Sequence, residues 1–303
     1  MTEKMSKASG GDLKCYRCSI CDGYGCPNML PGLGGVLDGK NFQLNYEGWR
    51  ILFGKAAAEG KAEDIRKIKV TPGLLRCGPV TGAVENVGYN DEADFYLPYL
   101  KNAVEAGLGL CVGDGCPDEK LKLGVEAVKT IQSVKAAFFL KPYPQEKLFE
   151  RIEWVRPYAS HIGIDIDSYN ILTMRNRVNL ERKSAAQLEE FRNRSKLPFV
   201  IKGVFTEEDI SLVRAVKPDV VYISNHGGRV ETRIGSTAQF LADYATELKK
   251  FCKEIWVDGG IRTQENIQTA VYYGADQVII ARPLIRATFD NHYTETVKEL
   301  TLC

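Results

Sequence analysis

Residues 221–229 read VYISNHGGR. Four β-prone residues run into Asn225, His226, two glycines and Arg229, the way a strand passes into a polar turn. The chain has three histidines, and this one stands beside a permanent positive charge. Together they can act as a general base next to an anion clamp. An imidazole can take a proton near neutral pH, and a guanidinium can hold a carboxylate through two parallel hydrogen bonds. The other two, His161 opening an apolar run and His292 in a C-terminal helical pattern, are expected to be structural or surface residues.

Further polar residues fall at the ends of apolar runs. Asp258, Gly259 and Gly260 are followed by Arg262, and Ala281 and Arg282 close the next run. Glycines let backbone N–H groups approach a phosphate, and a guanidinium supplies a second anchor. Lys202, in FVIKGV, could place a charge beside an electron-accepting cofactor. In GIDID (163–167), Asp167 rather than Asp165 is the expected partner of the histidine ring; both could instead cap the next element.

The elements that must position these residues are short and regular. β-rich runs occur at 74–79, 108–113, 136–141, 161–166, 198–204, 220–225, 255–260 and 277–282. Helical patterns alternate with them: 145–155, 206–216 with a capping-box-like Thr206 and Asp209, 237–251, and 263–274 closing on Gly274. Eight strands alternating with helices predict an α/β fold, a (β/α)8 TIM barrel, with chemistry at the C-terminal strand ends. A doubly wound sheet is the weaker alternative, because GLGG at 32–35 lacks the third glycine of a dinucleotide fingerprint and precedes the strands.

FVIKGVFTEED, VVYISNHGGR and VDGGIRTQENIQTAVYYGADQVIIARPL, in that order, resemble the FMN-dependent α-hydroxy acid oxidase/dehydrogenase family, which includes glycolate oxidase and flavin-linked lactate dehydrogenase. The resemblance is strongest over 198–286 and extends more loosely to GPVTGA and GIDID. It implies an FMN-binding barrel that oxidises a 2-hydroxy acid to the 2-oxo acid, a hydride equivalent passing to flavin N5. By resemblance His226 is the base, Asp167 its partner, Arg229 the carboxylate clamp, and Lys202 the stabiliser of negative charge on the flavin. Asp258, Gly259, Gly260, Arg262, Ala281 and Arg282 would line the ribityl phosphate, Pro79, Val80 and Thr81 would run beside flavin N5, and Ser224 joins the cofactor set. Arg175 or Arg177 would replace an arginine usual past strand 4. Two family tyrosines are missing: Lys141 or Pro142 stands after the third strand, and LPGLGG has no tyrosine adjacent. The substrate half of the site is therefore expected to be remodelled.

Cys15, Cys18, Cys21 and Cys26 are spaced C-x2-C-x2-C-x4-C-P, one residue longer than a bacterial ferredoxin run. Four thiolates so close can reach one iron–sulfur cluster or one tetrahedral zinc, or remain free thiols on an arm. A cluster beside the flavin would carry electrons to an unknown acceptor. Residues 1–67 are expected to form an N-terminal extension packed on a barrel of residues 68–303.

Forty basic and thirty-nine acidic residues leave a net charge of +1, which points to neither nucleic acid nor an anionic membrane. No apolar run reaches the length of a membrane span, and the polar N-terminus lacks a secretion signal, so the cytoplasm is the expected compartment. A homo-oligomer is expected by family analogy alone. Two other functions stand behind the main one: a type 2 isopentenyl diphosphate isomerase-like FMN enzyme, which has no use for SNHGGR, and a flavin/iron–sulfur electron-transfer protein with a vestigial substrate pocket.

Overall fold

The apolar runs become strands because each is buried on both faces. One face looks into the barrel and the other meets helices, so continuous Val, Ile and Phe replace the usual alternation. The computed structural model describes residues 39–170 and 178–301. Its strands are β1 (Leu75–Cys77), β2 (Leu110–Gly113), β3 (Ala136–Leu140), β4 (Ala159–Asp165), β5 (Phe199–Val204), β6 (Val220–Ile223), β7 (Glu254–Val257) and β8 (Gln277–Ile280). All pairings are parallel, and β1 lies between β8 and β2. The Cys77 N–H donates to the Gly109 carbonyl at 3.0 Å, and the Gly109 N–H to that of Leu75 at 2.9 Å, closing the (β/α)8 barrel.

Phe139, Val200, Tyr222, Trp256 and Ile279 fill the barrel interior. Outside the strands lie α1 (Lys40–Ala58), α2 (Ala62–Arg66), α3 (Ala93–Glu105), α4 (Glu119–Ile131), α5 (Gln145–Val155), α6 (Ala185–Ser195), α7 (Glu207–Val216), α8 (Thr237–Leu248), α9 (Gln264–Tyr272), α10 (Arg282–Asp290) and α11 (Tyr293–Thr301). Helix α7 begins with the expected capping box: the Thr206 hydroxyl accepts from the Asp209 N–H at 3.2 Å, and Asp209 accepts from the Thr206 N–H at 2.8 Å. Gly274, with φ +105°, follows α9 as a residue in the left-handed region.

Two expectations shift. Helix α8 stops at Leu248, so Phe251 lies beyond it rather than on its face. His292 sits in the turn between α10 and α11, because Asn291 turns left-handed (φ +55°) and ends α10. His161 packs edge-on against Trp256, with centroids 5.2 Å apart, a structural contact. No helix among the described residues is long and apolar enough to cross a membrane.

Candidate active site

Strand β6 stops at Ile223, and Asn225 starts a single 3-10 turn over His226–Gly228. The Asn225 side-chain oxygen accepts from the Gly228 N–H at 2.9 Å, and its carbonyl accepts from the Val230 N–H at 3.1 Å. Within this turn His226 takes φ +53°, a left-handed conformation that costs a non-glycine residue about 1 kcal/mol. The strain aims the ring at a cavity over the C-terminal strand ends, where it joins residues of β3, β4 and β5.

The ring is held between two buried carboxylates. Nδ1 lies 2.9 Å from Asp167 Oδ2, and Nε2 lies 2.9 Å from Asp165 Oδ2. A neutral imidazole has one N–H, so both contacts at once need a doubly protonated ring or one protonated carboxyl. Burial pushes the Asp165 carboxyl up, but His226, Lys202 and Lys141 outweigh it and hold it well below the usual range. Asp167 has weaker support, and burial raises it. Lys202 donates to Asp165 Oδ1 at 2.7 Å, and its Nζ is 3.3 Å from His226 Nε2. Burial would discharge Lys202, yet Asp165, Asp167 and Asp258 reverse the shift and keep it charged. Lys141 donates to Asp165 Oδ2 at 3.0 Å.

The expected pairing of Asp167 with His226 is thus present, and Asp165, set aside in the sequence, is engaged as closely. A signal was available: residues at i and i+2 of an extended strand point the same way, so GIDID presents both carboxylates to one side. Lys141, seen in the sequence only as a missing tyrosine, lines the cavity as a buried ammonium.

Beside the histidine turn, guanidiniums gather at the cavity wall. Arg229 Nε donates to the His226 carbonyl at 3.0 Å, and Arg282 Nη2 to that of Gly227 at 3.2 Å. Neither makes a salt bridge to a carboxylate among the described residues. Burial pushes Arg229 below its ordinary value, and Arg282 well below, with Arg262 and Arg229 adding repulsion. Such a cluster is completed by an anion.

Helix α1 braces this wall. Asn45 donates to Asn225 Oδ1 at 2.7 Å and accepts from the Thr237 N–H at 3.0 Å. Asn41 donates to the Val230 and Arg233 carbonyls, both at 2.8 Å. In the sequence this helix lies within the N-terminal extension of residues 1–67. It also changes what two glycines do: a Cβ on Gly228 would stand 2.3 Å from Phe42 N, and one on Gly260 would stand 1.9 Å from the Asn45 carbonyl oxygen. These glycines admit the helix as well as the turn.

Pro79, Val80, Thr81, Lys202, His226, Arg229, Asp258, Gly259, Gly260, Arg262, Ala281 and Arg282 all border the one cavity. Ser224 is fully buried beneath it, donating to Asp258 Oδ2 at 3.0 Å and accepting from the His226 N–H at 3.2 Å. Arg175, Arg177 and the four cysteines Cys15, Cys18, Cys21 and Cys26 lie outside the described residues.

The sequence profile of the FMN-dependent dehydrogenases matches residues 134–295, more than half the chain. The chain belongs to that family. Among its relatives, 2-hydroxyacid oxidase 2 of Bos taurus is 35% identical over 32% of this chain and 28% of its own. The cytochrome-linked L-lactate dehydrogenase of Saccharomyces cerevisiae is 35% identical over 33% of this chain and 18% of its own. The matched stretch therefore spans less than a third of these relatives. A mandelate oxidase variant solved with benzoyl-formic acid shares the fold at TM-score 0.65 and 16% identity, covering 87% of this chain and 83% of that one.

As in a member of this family, the residues present fit the cofactor. Arg262 and Arg282 border the cavity where α10 begins, and Arg282 lacks a carboxylate counterion among the described residues, which suits a phosphate dianion at a helix N-terminus. Val80, Phe139 and Ile279 supply apolar wall for a ring system. The comparisons lend no support to an iron–sulfur cluster on the four cysteines.

Proposed function

We propose that this chain oxidises a small 2-hydroxy acid to the corresponding 2-oxo acid using FMN. The observation that carries the reading is the His226 ring, strained into the cavity wall and held by a carboxylate at each nitrogen, with Arg229 beside it and without a carboxylate partner among the described residues. The names of the relatives, a 2-hydroxyacid oxidase and an L-lactate dehydrogenase, support the same substrate class.

Arg229, with no carboxylate partner among the described residues, binds the substrate carboxylate and fixes the hydroxyl-bearing carbon toward His226. With Nδ1–H donating to Asp167, His226 Nε2 takes the hydroxyl proton, which requires the bound hydroxyl to displace Asp165 Oδ2 from that nitrogen. Asp167 on Nδ1 keeps the ring oriented, and both carboxylates stabilise the imidazolium that results. Arg262, Arg282 and the loop of Gly259 and Gly260 would hold FMN, which would supply a two-electron acceptor for the hydride from the same carbon. Lys202, kept charged at the cavity wall, would stabilise negative charge gained by the cofactor on reduction. The substrate has then lost one proton to histidine and one hydride to the cofactor, leaving a 2-oxo acid.

The experiment is an anaerobic screen of small 2-hydroxy acids against the FMN-loaded protein, scoring bleaching of the flavin absorbance. At least one acid is expected to bleach it. If dithionite reduces the flavin and no 2-hydroxy acid does, the reading is wrong.

A further inference from the structure

Asp165 lies between two groups the proposed reaction uses for different purposes. Its Oδ1 takes a hydrogen bond from Lys202 at 2.7 Å, and its Oδ2 faces both His226 Nε2 at 2.9 Å and Lys141 Nζ at 3.0 Å. The residue is 5% exposed and borders the cavity, so water screens this charge little. A carboxylate in contact with an ammonium cancels much of that ammonium's field a few ångströms away, because the two charges act there as a dipole.

A proton-abstracting site needs one carboxylate on the far nitrogen of its base, and Asp167 fills that place. Asp165 is additional, and its oxygens are directed to two lysines as well as to the histidine. Lys141 belongs to the same device: by sharing Oδ2 it draws off part of the charge that would otherwise act on Lys202.

The geometry points to Asp165 as a positioning residue that sets the reduction potential of bound FMN, offsetting the positive charge of Lys202, with Lys141 limiting that offset. This rests on the reading above that FMN fills the cavity with Lys202 beside its ring. The consequence is a flavin that is harder to reduce than Lys202 alone would make it. It therefore passes electrons on more readily.

The test uses FMN-loaded wild type, Asp165→Asn, Lys141→Met and Lys202→Met. Midpoint potential is read against reference dyes, and sulfite affinity from flavin bleaching; neither needs a substrate. Asp165→Asn is expected to raise the potential and tighten sulfite binding by about tenfold or more. Lys141→Met is expected to move both readouts the opposite way, which a loss of packing alone would not do. An unchanged or lowered potential in FMN-loaded Asp165→Asn overturns the inference. If Asp165→Asn does not fold or hold FMN, Lys141→Met decides: a lower potential supports the inference and an unchanged or higher one overturns it. Lys202→Met separates the two levels. If it leaves the potential unchanged, the placement of Lys202 beside FMN has failed; if it lowers the potential while Asp165→Asn does nothing, only the role of Asp165 has failed.

Discussion

Trp49 on α1 donates its indole N–H to the Gly259 carbonyl at 2.7 Å, tying a helix that precedes the barrel to the loop after β7. Thr237, at the start of α8, donates to the neighbouring Asp258 carbonyl at 2.6 Å. The loop bearing Asp258, Gly259 and Gly260 is thus fixed from two sides before any ligand arrives.

That tie should be measurable. Trp49 is fully buried, and Trp49→Phe leaves the Gly259 carbonyl with only the longer contact from the Thr237 hydroxyl at 3.4 Å. The expected loss is about 0.5–1.5 kcal/mol in denaturant unfolding, the net worth of one hydrogen bond. FMN dissociation should also speed up, because the loop loses one of its restraints. Unchanged FMN retention would show that α1 braces the fold without bracing the site.

The eight strands were legible because a barrel strand buried on both faces leaves a continuous apolar run, and His226 was legible because histidine, glycines and arginine together are unusual at a strand end. What escaped was whatever depends on contacts across the chain. Asn41, Asn45 and Trp49 look like ordinary helix residues until residues some 180 or more positions away fold against them. Asp165 escaped for a different reason: two carboxylates two residues apart were treated as rivals for one role, whereas the ring has two nitrogens and takes both.

His226→Asn should separate chemistry from folding. Asparagine tolerates the left-handed φ of this position, so the turn is expected to persist and FMN to stay bound. Without a base, anaerobic flavin reduction by the substrate should slow by about 10²–10⁴-fold. Stopped-flow absorbance checks it, and a variant reduced at the wild-type rate would remove His226 from the mechanism.

Arg229→Lys keeps a positive charge but loses the planar fork. If Arg229 holds the substrate carboxylate at two points, kcat/KM should fall by about tenfold to a hundredfold, with KM carrying much of the change. Flavin content and midpoint potential should change little. An equal fall with every electron donor, including ones without a carboxylate, would place Arg229 on the cofactor instead.

Asp114 gives a pH prediction of definite sign. Burial pushes its carboxyl up to about 6, outweighing Arg151, whose Nε lies 3.4 Å from Oδ2, and the Lys141 N–H, which donates at 3.2 Å. Because the folded pKa lies above the unfolded one, the native state binds more protons between about pH 4 and pH 6, and stability falls as pH rises through that window. The ionised group then costs on the order of 3 kcal/mol above it. Asp114→Asn is neutral at every pH and nearly isosteric. It should match the wild type near pH 4 and become the more stable of the two by pH 7, read from unfolding midpoints at each pH. The opposite order at pH 7 would mean that the Arg151 ion pair outweighs the burial of Asp114.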